Sequence, residues 1–595
     1  MIKTSLANWI RAILALWAIT LALGVNPQNP LCLAGLAALY ALFSYRKRVA
    51  DHRALAPPVR ITGVLYALLT VAATHGEFTA TYTLGAFRLG LTVIALAGLL
   101  LFWDAFLPLA TERVLLICDT PGLRGGSVSR PVRLLLTFPT FTCLLGWLPA
   151  FLYEYPGIFS PDGIVQIGQL AGIEPLSNHH PMIHTWTIGF FMKIGSLFTA
   201  DPTHQAAFYI AAQMIFLAFC CGQVVRHLAR KRLVIPAAVT ALLFAFLPYN
   251  GIFAVYCLKD IPFTGITLLF TLTIADLTAD KARTSALVRF GIIGFLFCTF
   301  RSNGYFAFFL IAALLLLLLK KRPVRVKLLT ACMLVILTAT LYRSVFLPAL
   351  GISGGDLAEK LHIPLQQISR VLVMDRTLSP TDRALIEAAV DTTYIKELYV
   401  PDYADNVKEL LRAGHPEVIS ENKGTYLLLW LRIGLHHPGD YLEALIDHTR
   451  GIWYPVGAPE VAMIDGVYPN ELGIESRPII GGPVIVKCKE LLLKSGPLLP
   501  VLTFLWSMGF FFWALLYLTA LTLVTQTADP HRAPVAVLFP SYALYATLML
   551  AIPLSDFRYV YPMVLSLPIW LTAPLQSPQE TTDNPQTPAA QDVPL

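Results

Sequence analysis

The stretch Gly304-Tyr305-Phe306-Ala307-Phe308-Phe309-Leu310-Ile311-Ala312-Ala313-Leu314-Leu315-Leu316-Leu317-Leu318-Leu319, closed by Lys320-Lys321-Arg322, decides the fold class. It carries no charge until its end and then presents three cations in a row. An apolar run of this kind covers most of a ~30 Å hydrocarbon layer as a helix. The cations that stop it mark a cytoplasmic boundary.

Runs like it recur along the chain. About fourteen spans are expected, near 8–24, 31–45, 59–75, 86–107, 131–152, 205–225, 233–250, 260–276, 286–300, 304–319, 327–346, 498–525, 534–552 and 558–574. The bulk numbers agree. Of 595 residues 56% are hydrophobic and 14% charged, with a mean hydropathy of +0.63, whereas a soluble domain is usually about a quarter charged. The fold class is an all-α polytopic membrane protein. The first run, Trp9 to Val25, lacks a small-residue cleavage site and is expected to stay as a helix. The net charge of +7 sits in short loops between spans, so it sets topology and does not point to nucleic acid. The nine cysteines show no metal spacing, and only Cys488 lies well inside the large outer loop.

Basic clusters in short loops fix the orientation. Arg46-Lys47-Arg48, the segment with Arg113, Arg124, Arg130 and Arg133, the Arg226–Arg232 cluster, and Lys320-Lys321-Arg322 with Arg325 and Lys327 all fall inside only if residues 181–198 do not cross. That stretch reads as an interfacial helix, and both termini are placed in the cytoplasm. The organisation is then transmembrane helices over 1–130, a transmembrane core over 131–347 with a first outer loop at 153–204, a mostly helical extracytoplasmic domain over 348–497, transmembrane helices over 498–575, and a disordered tail over 576–595 rich in Pro, Gln, Thr and Asp.

The polar clusters gather on the outer side. Asp162, just after a span, can act as a general base or hold a divalent cation such as Mg or Mn; a loop aspartate capping a helix fits equally well. Glu154 reads as an interfacial charge. His179 and His180 point different ways on any regular element, and His184 lies four residues after His180, where a helix would put it on the same face. Lys259-Asp260 and Arg301 sit at span ends, where snorkelling is the ordinary reading. Outer cations nevertheless run against the positive-inside bias. Arg558 is shaped for a lipid phosphate, or it forms a weak surface pair with Asp556. Span interiors are nearly free of Asp, Glu, Lys and Arg, which disfavours a transporter. No glycine-rich phosphate loop is present.

The order of these parts resembles the GT-C class of membrane glycosyltransferases. A span leads to an outer loop with an early acidic residue, an interfacial His-Pro element, further spans, and a late outer domain. Tyr155-Pro156-Gly157 with Asp162 and Gln166, Asn178-His179-His180-Pro181, Lys259-Asp260, Arg301-Ser302-Asn303-Gly304, Gly451-Ile452-Trp453-Tyr454-Pro455 and Asp556-Phe557-Arg558-Tyr559 are similar to an uncharacterised bacterial polytopic family over roughly residues 130–575. The GT-C resemblance implies a sugar transferred, with inversion, from a polyprenyl-phosphate donor to a glycan, lipid or protein acceptor outside a bacterial cytoplasmic membrane. It implies Asp162 as the catalytic carboxylate or a metal ligand, and Arg301, Arg558 and Lys259 on the donor phosphate. His179, His180, Asn178, Asn303, Asp260, Gln166 and Tyr155 would line the pocket. Many members of the class carry an acidic pair, whereas Gly163 follows Asp162 here, which leaves base and metal roles both open. Trp453 and Tyr454 can stack on sugars or pack in a core. A lipid-linked glycan polymerase or ligase, a flippase of lipid-linked sugars and a non-catalytic scaffold are the alternatives.

Overall fold

The computed structural model describes residues 2–80, 84–119, 129–279, 283–318, 322–455, 465–483, 486–487, 506–525 and 534–575. Among these residues helix follows helix, and β-pairing is confined to isolated bridges. Inside lipid only helices and closed barrels satisfy their own backbone groups, so apolar runs of this length become helices. Seven helices are long and apolar enough to cross a membrane, or nine if each of two bent pairs is one span. They include Pro202–Arg230, Asp260–Thr278, Pro323–Ala349, Met508–Thr525 and Pro534–Ala551. The expected spans at 8–24, 286–300, 304–319 and 558–574 fall on the shorter apolar helices Leu6–Ala22, Thr284–Phe300, Ser302–Leu318 and Tyr561–Trp570. The 31–45 run forms the 15-residue helix Leu31–Tyr45. Residues 319–321, 498–505 and the 576–595 tail lie outside the described residues, as do 456–464, 484–485 and 488–497 of the outer segment.

Two expected spans are not continuous helices. Over 131–152, Arg130–Thr137 meets Pro139–Tyr153 at 86°; over 233–250, Val234–Phe246 meets Pro248–Ala254 at 59°. Both breaks fall immediately before a proline. The proline ring disfavours α geometry in the preceding residue. Phe138 accordingly has φ −119° and ψ 47°, and Leu247 has φ −66° and ψ 124°.

The helices sort by what surrounds them. Along Pro323–Ala349, Leu329, Met333, Leu334 and Leu337 are all exposed. A contiguous apolar face of this size is unsuited to water and suited to lipid. Asp260–Ala279 is the opposite, almost wholly buried, and packs on Pro202–Arg230, Thr284–Phe300 and Tyr561–Trp570. Its buried Thr264, Thr267 and Thr271 hydroxyls donate to the carbonyls four residues back at 2.7–2.8 Å, which satisfies them without water. This central helix begins at Asp260, so its N-terminus is placed by the packing of three neighbours.

The helix Pro139–Tyr153 carries the chain to the same end of the bundle. A Cβ at Gly146 would lie 2.3 Å from the Ala245 carbonyl oxygen, so only glycine admits this approach. Beside it the buried Trp147 indole donates to the Phe244 carbonyl at 2.9 Å. Met182–Gly195, at about 21 Å from its 14 residues, is shorter than a ~30 Å hydrocarbon core and packs along Pro202–Arg230. Beyond residue 347, His362–Val373, Pro380–Ala389, Asp405–Ala413, Lys423–His436 and Pro438–Trp453 bury small apolar cores. They attach to the loops at the bundle end. His448 Nε2 donates to the Ile552 carbonyl at 2.6 Å, and Ala404 N to the Pro553 carbonyl at 2.9 Å.

Candidate functional site

The segment after Tyr153 is fixed by backbone pairing on both sides. Ile158 N donates to the Val255 carbonyl at 2.9 Å, and Cys257 N to the Ile158 carbonyl at 2.8 Å. On the other edge Phe159 N donates to the Gly466 carbonyl at 3.0 Å, and Tyr468 N to the Phe159 carbonyl at 2.8 Å. Glu154 is buried, and its carboxylate accepts from Gly466 N at 3.0 Å, so it is a structural ligand of this crossing and not an interfacial charge. Ile158 pairs in parallel with Tyr256. A few residues further along each strand, the pairing brings Asp162 and Lys259 face to face.

Asp162 occupies the first turn of Pro161–Ala171. Its Oδ2 lies 3.5 Å from Lys259 Nζ and 3.6 Å from Arg558 Nη1. Lys259 Nζ also donates to His180 Nδ1 at 3.1 Å. Three segments far apart in sequence therefore meet at this carboxylate, and His180 joins them through Lys259. Asp162 keeps 30% of its side chain exposed, so the cluster is open on one side. Burial pushes its carboxyl upward; the charges of Lys259, His180 and Arg558 outweigh this and hold it well below the usual carboxylate range. Burial, then the Lys259 ammonium, drives the His180 pKa well down, so the ring is neutral. Its Nδ1 accepts from Lys259, which leaves the proton on Nε2. His179 is exposed, stacks edge-on to His180 at 4.5 Å, and shifts downward for the same two reasons.

A second layer stands behind the first. Arg558 Nε is 3.2 Å from Asp556 Oδ2, and Asp556 is 1% exposed, so this pair is buried and is not a surface contact. Arg301 Nη1 is 2.8 Å from Asp260 Oδ1, with side-chain exposures of 11% and 0%, so neither side chain snorkels. The Arg558 and Arg301 guanidinium carbons lie 4.9 and 5.0 Å from the centre of the Tyr559 ring. One aromatic ring thus links both arginines through cation–π contact.

The remaining sequence candidates divide. Asn178 Oδ1 accepts from Met182 N at 3.0 Å and opens the helix after the His-Pro element. Gln166 is buried beside His184, at 3.0 Å, and donates to the Thr185 hydroxyl at 2.8 Å. His184 does not share a face with His180, because Pro181 starts the helix between them. It is buried instead in a chain with Tyr209 at 2.6 Å, whose hydroxyl donates to Gln213 at 2.8 Å. Gln213 in turn donates to the Ala254 and Tyr256 carbonyls. Tyr155 packs on Phe151 and His204, and Asn303 donates to Thr547 at 3.4 Å; among the described residues neither has a hydrogen bond, ion pair or ring contact with the Asp162 cluster. Trp453 and Tyr454 are buried, which assigns them to packing. Tyr559, Tyr209 and Gln213 were not singled out from sequence. Tyr559 had appeared only within the stretch Asp556-Phe557-Arg558-Tyr559.

Charge arrangement defines what the site can do. Lys259 keeps a donor beyond His180 and Asp162, and Arg558 Nη1 stands 3.6 Å from Asp162 with no hydrogen bond among the described residues. Such a site accepts an anion beside an ionised carboxylate. A divalent cation fits poorly. The described residues hold no group of three His, Cys, Asp or Glu spaced for one, and two cations flank Asp162. A separate cavity of about 300 Å³, lined by Trp17, Thr20, Gly24 and Glu77, shares no residue with the cluster.

A family described as "Family of unknown function (DUF6020)" matches residues 173–587, well over half of the chain, and the chain belongs to it. No curated protein and no solved structure matches.

Proposed function

We propose that the chain is a membrane glycosyltransferase. It moves a sugar from a polyprenyl-phosphate donor to an acceptor hydroxyl on the extracytoplasmic side of a bacterial cytoplasmic membrane. One observation carries the reading: Asp162 Oδ2 faces Lys259 Nζ at 3.5 Å and Arg558 Nη1 at 3.6 Å, closer to each than to full charge separation but short of tight pairing. Cations with donors to spare beside a carboxylate are what phosphate departure and hydroxyl activation need together.

The donor phosphate docks on Lys259 and Arg558. It then shares the positive charge that these two cations direct at Asp162 in the free protein. The Asp162 carboxyl rises from its depressed position and becomes a usable base. Asp162 takes the proton of the acceptor hydroxyl. The acceptor oxygen forms its bond to the anomeric carbon as the bond from that carbon to the phosphate oxygen breaks. The electron pair leaves with polyprenyl phosphate, held by Lys259 and Arg558, and attack opposite the leaving group inverts the centre. Arg301, Asp556 and Asp260 act as positioning residues, and His180 orients Lys259.

The test is complementation of a deletion strain by Asp162→Asn, with protein level checked and surface glycans read by mass spectrometry. Loss of one sugar from a glycan at normal protein level supports the reading and identifies the sugar. An unchanged glycan profile sinks it and returns Asp162 to the role of a helix-start residue.

A further inference from the structure

We infer that Arg343 centres a second anion site, built to take one phosphate group of a membrane lipid. Arg343 lies in the single π-helical turn Tyr342–Phe346 that ends the helix Arg322–Leu341. Such turns redirect side chains and are frequent at functional positions. The guanidinium sits 4.8 Å from the centre of the Tyr305 ring, and Tyr305 is held by the Thr340 hydroxyl at 2.8 Å.

Its surroundings set it apart from the cations already described. Lys259, Arg301 and Arg558 each have a carboxylate, in Asp162, Asp260 and Asp556. Among the described residues Arg343 has none; the groups that face it are Tyr305, Cys298 and Tyr342. A half-buried guanidinium without a counterion is costly to hold. A site that waits for an anion explains why the charge is there.

The cavity it lines offers donors. Arg343, Asn178, Ser302, Cys298 and Tyr342 surround about 10 Å³, room for one water-sized group. Asn178 spends its side-chain oxygen on Met182 N, which leaves the amide NH2 to offer. Ser302 is the first residue of the 17-residue helix Ser302–Leu318, whose N-terminal dipole favours an anion. The Tyr342 hydroxyl lines the cavity beside the Ile183 backbone. A guanidinium, an amide, two hydroxyls and a helix start converge with no carboxylate, so the ligand is an anion. The volume admits one phosphate oxygen and excludes a nucleotide. Leu341, Val345 and Phe346 beside Arg343 are exposed and apolar, which fits a phosphate borne on a lipid tail. Asn178 precedes His179 and Ser302 follows Arg301, so this site adjoins the Asp162 cluster. The inference needs no sugar transfer: a lipid binder without transferase activity would overturn the proposed function and leave this site standing.

The experiment is native mass spectrometry of the full chain in detergent, titrated separately with a long-chain polyprenyl phosphate, phosphatidylglycerol and the phosphate-free diacylglycerol. The wild-type protein is expected to bind both phosphate lipids and to ignore diacylglycerol. R343Q should lose one bound lipid phosphate, with affinity about tenfold lower, and R343K should lose less. Loss for polyprenyl phosphate alone assigns the site to the carrier lipid; equal loss for both assigns it to phosphate headgroups in general. Unchanged stoichiometry and affinity in R343Q overturns the inference. Where R343Q does not accumulate, the pair Asn178→Leu with Ser302→Ala decides by the same readout.

Discussion

Arg301 Nη1 and Asp260 Oδ1 lie 2.8 Å apart at the start of the central helix, with only 11% and 0% of their side chains open to water. Removing one partner of such a pair strands the other charge in the interior, at a cost of about 3–5 kcal/mol. R301Q is therefore expected to lower the thermal unfolding midpoint of the purified protein clearly, and the double variant R301Q/D260N to recover most of the loss. A double variant as unstable as R301Q would show that the pair is not the source of the effect.

Asp162 is expected to matter for turnover more than for binding. If it takes the acceptor proton, Asp162→Asn lowers kcat by about 10²–10⁴-fold with donor affinity held or improved. Lys259→Gln and Arg558→Gln, which remove charge from the phosphate, should weaken donor binding as well as turnover. Steady-state kinetics with a polyprenyl-phosphate sugar distinguishes the two patterns. A purely KM effect for Asp162→Asn would remove it from the chemistry.

Acid should reach this site through His180 and not through Asp162. The Asp162 carboxyl is held low in the folded chain, so its contribution to stability is present above its unfolded value of about 3.9 and is lost only as pH falls through the lower folded value. His180 is also depressed, by burial first and Lys259 second. A depressed base binds its proton more readily in the unfolded chain. Stability should therefore fall as pH drops below about 6.5, the ordinary histidine value. In His180→Gln that slope should flatten. The free-enzyme profile of kcat/KM should show no titration near 6.5; one that vanishes in His180→Gln would mean the ring is protonated in the folded state.

How much of this was legible in the sequence depends on the range of the contact. Apolar runs announce themselves locally, and each expected span with described residues falls on helix. Asp162, His180, Lys259 and Arg558 stood out because polar groups beside spans are rare in so apolar a chain, and the fold gathers them. Their pairing was not readable. Asp556 looked like a surface partner of Arg558 because the two are near in sequence, yet burial comes from the helices around them. The bends before Pro139 and Pro248 were hidden because proline leaves hydropathy almost unchanged while it alters the preceding backbone. Tyr209 and Gln213 lay inside an apparently uniform helix, and only the placement of Ala254 and Tyr256 gives them a role. Arg343 falls at the end of the expected 327–346 span, and its lack of a carboxylate among the described residues is visible only in three dimensions.

Gly157 tests whether the pairing of Ile158 with Tyr256 positions Asp162. Gly157 has φ +145°, which side chains with a Cβ rarely adopt. A Cβ there would lie 2.6 Å from Ile210 and 2.9 Å from the Val255 carbonyl oxygen, the same carbonyl that receives Ile158 N. Gly157→Ala is expected to cost about 1–3 kcal/mol and to depress transfer further than its stability loss explains, since Asp162 moves relative to Lys259. Activity assayed well below the unfolding temperature separates the two effects. A destabilised variant with full activity there would free Asp162 from this crossing.

The proposed sidedness predicts which positions are labelled from outside the cell. The loops bearing Asp162, Lys259, Arg301 and Arg558 converge at one end of the bundle, and the helices beyond residue 347 attach to the same loops. Arg46-Lys47-Arg48 follows the helix Leu31–Tyr45, and the Arg226–Arg232 cluster closes the helix Pro202–Arg230; the positive-inside rule expects such clusters in the cytoplasm. Single cysteines at Gly354 and Lys423, in a background with Cys32 and Cys488 changed to serine, should react with a membrane-impermeant maleimide in intact cells. Cysteines at Lys47 and Arg230 should react only after permeabilisation. The reverse pattern would put the Asp162 cluster in the cytoplasm, where an extracytoplasmic acceptor could not reach it, and the transferase reading would need a cytoplasmic acceptor instead.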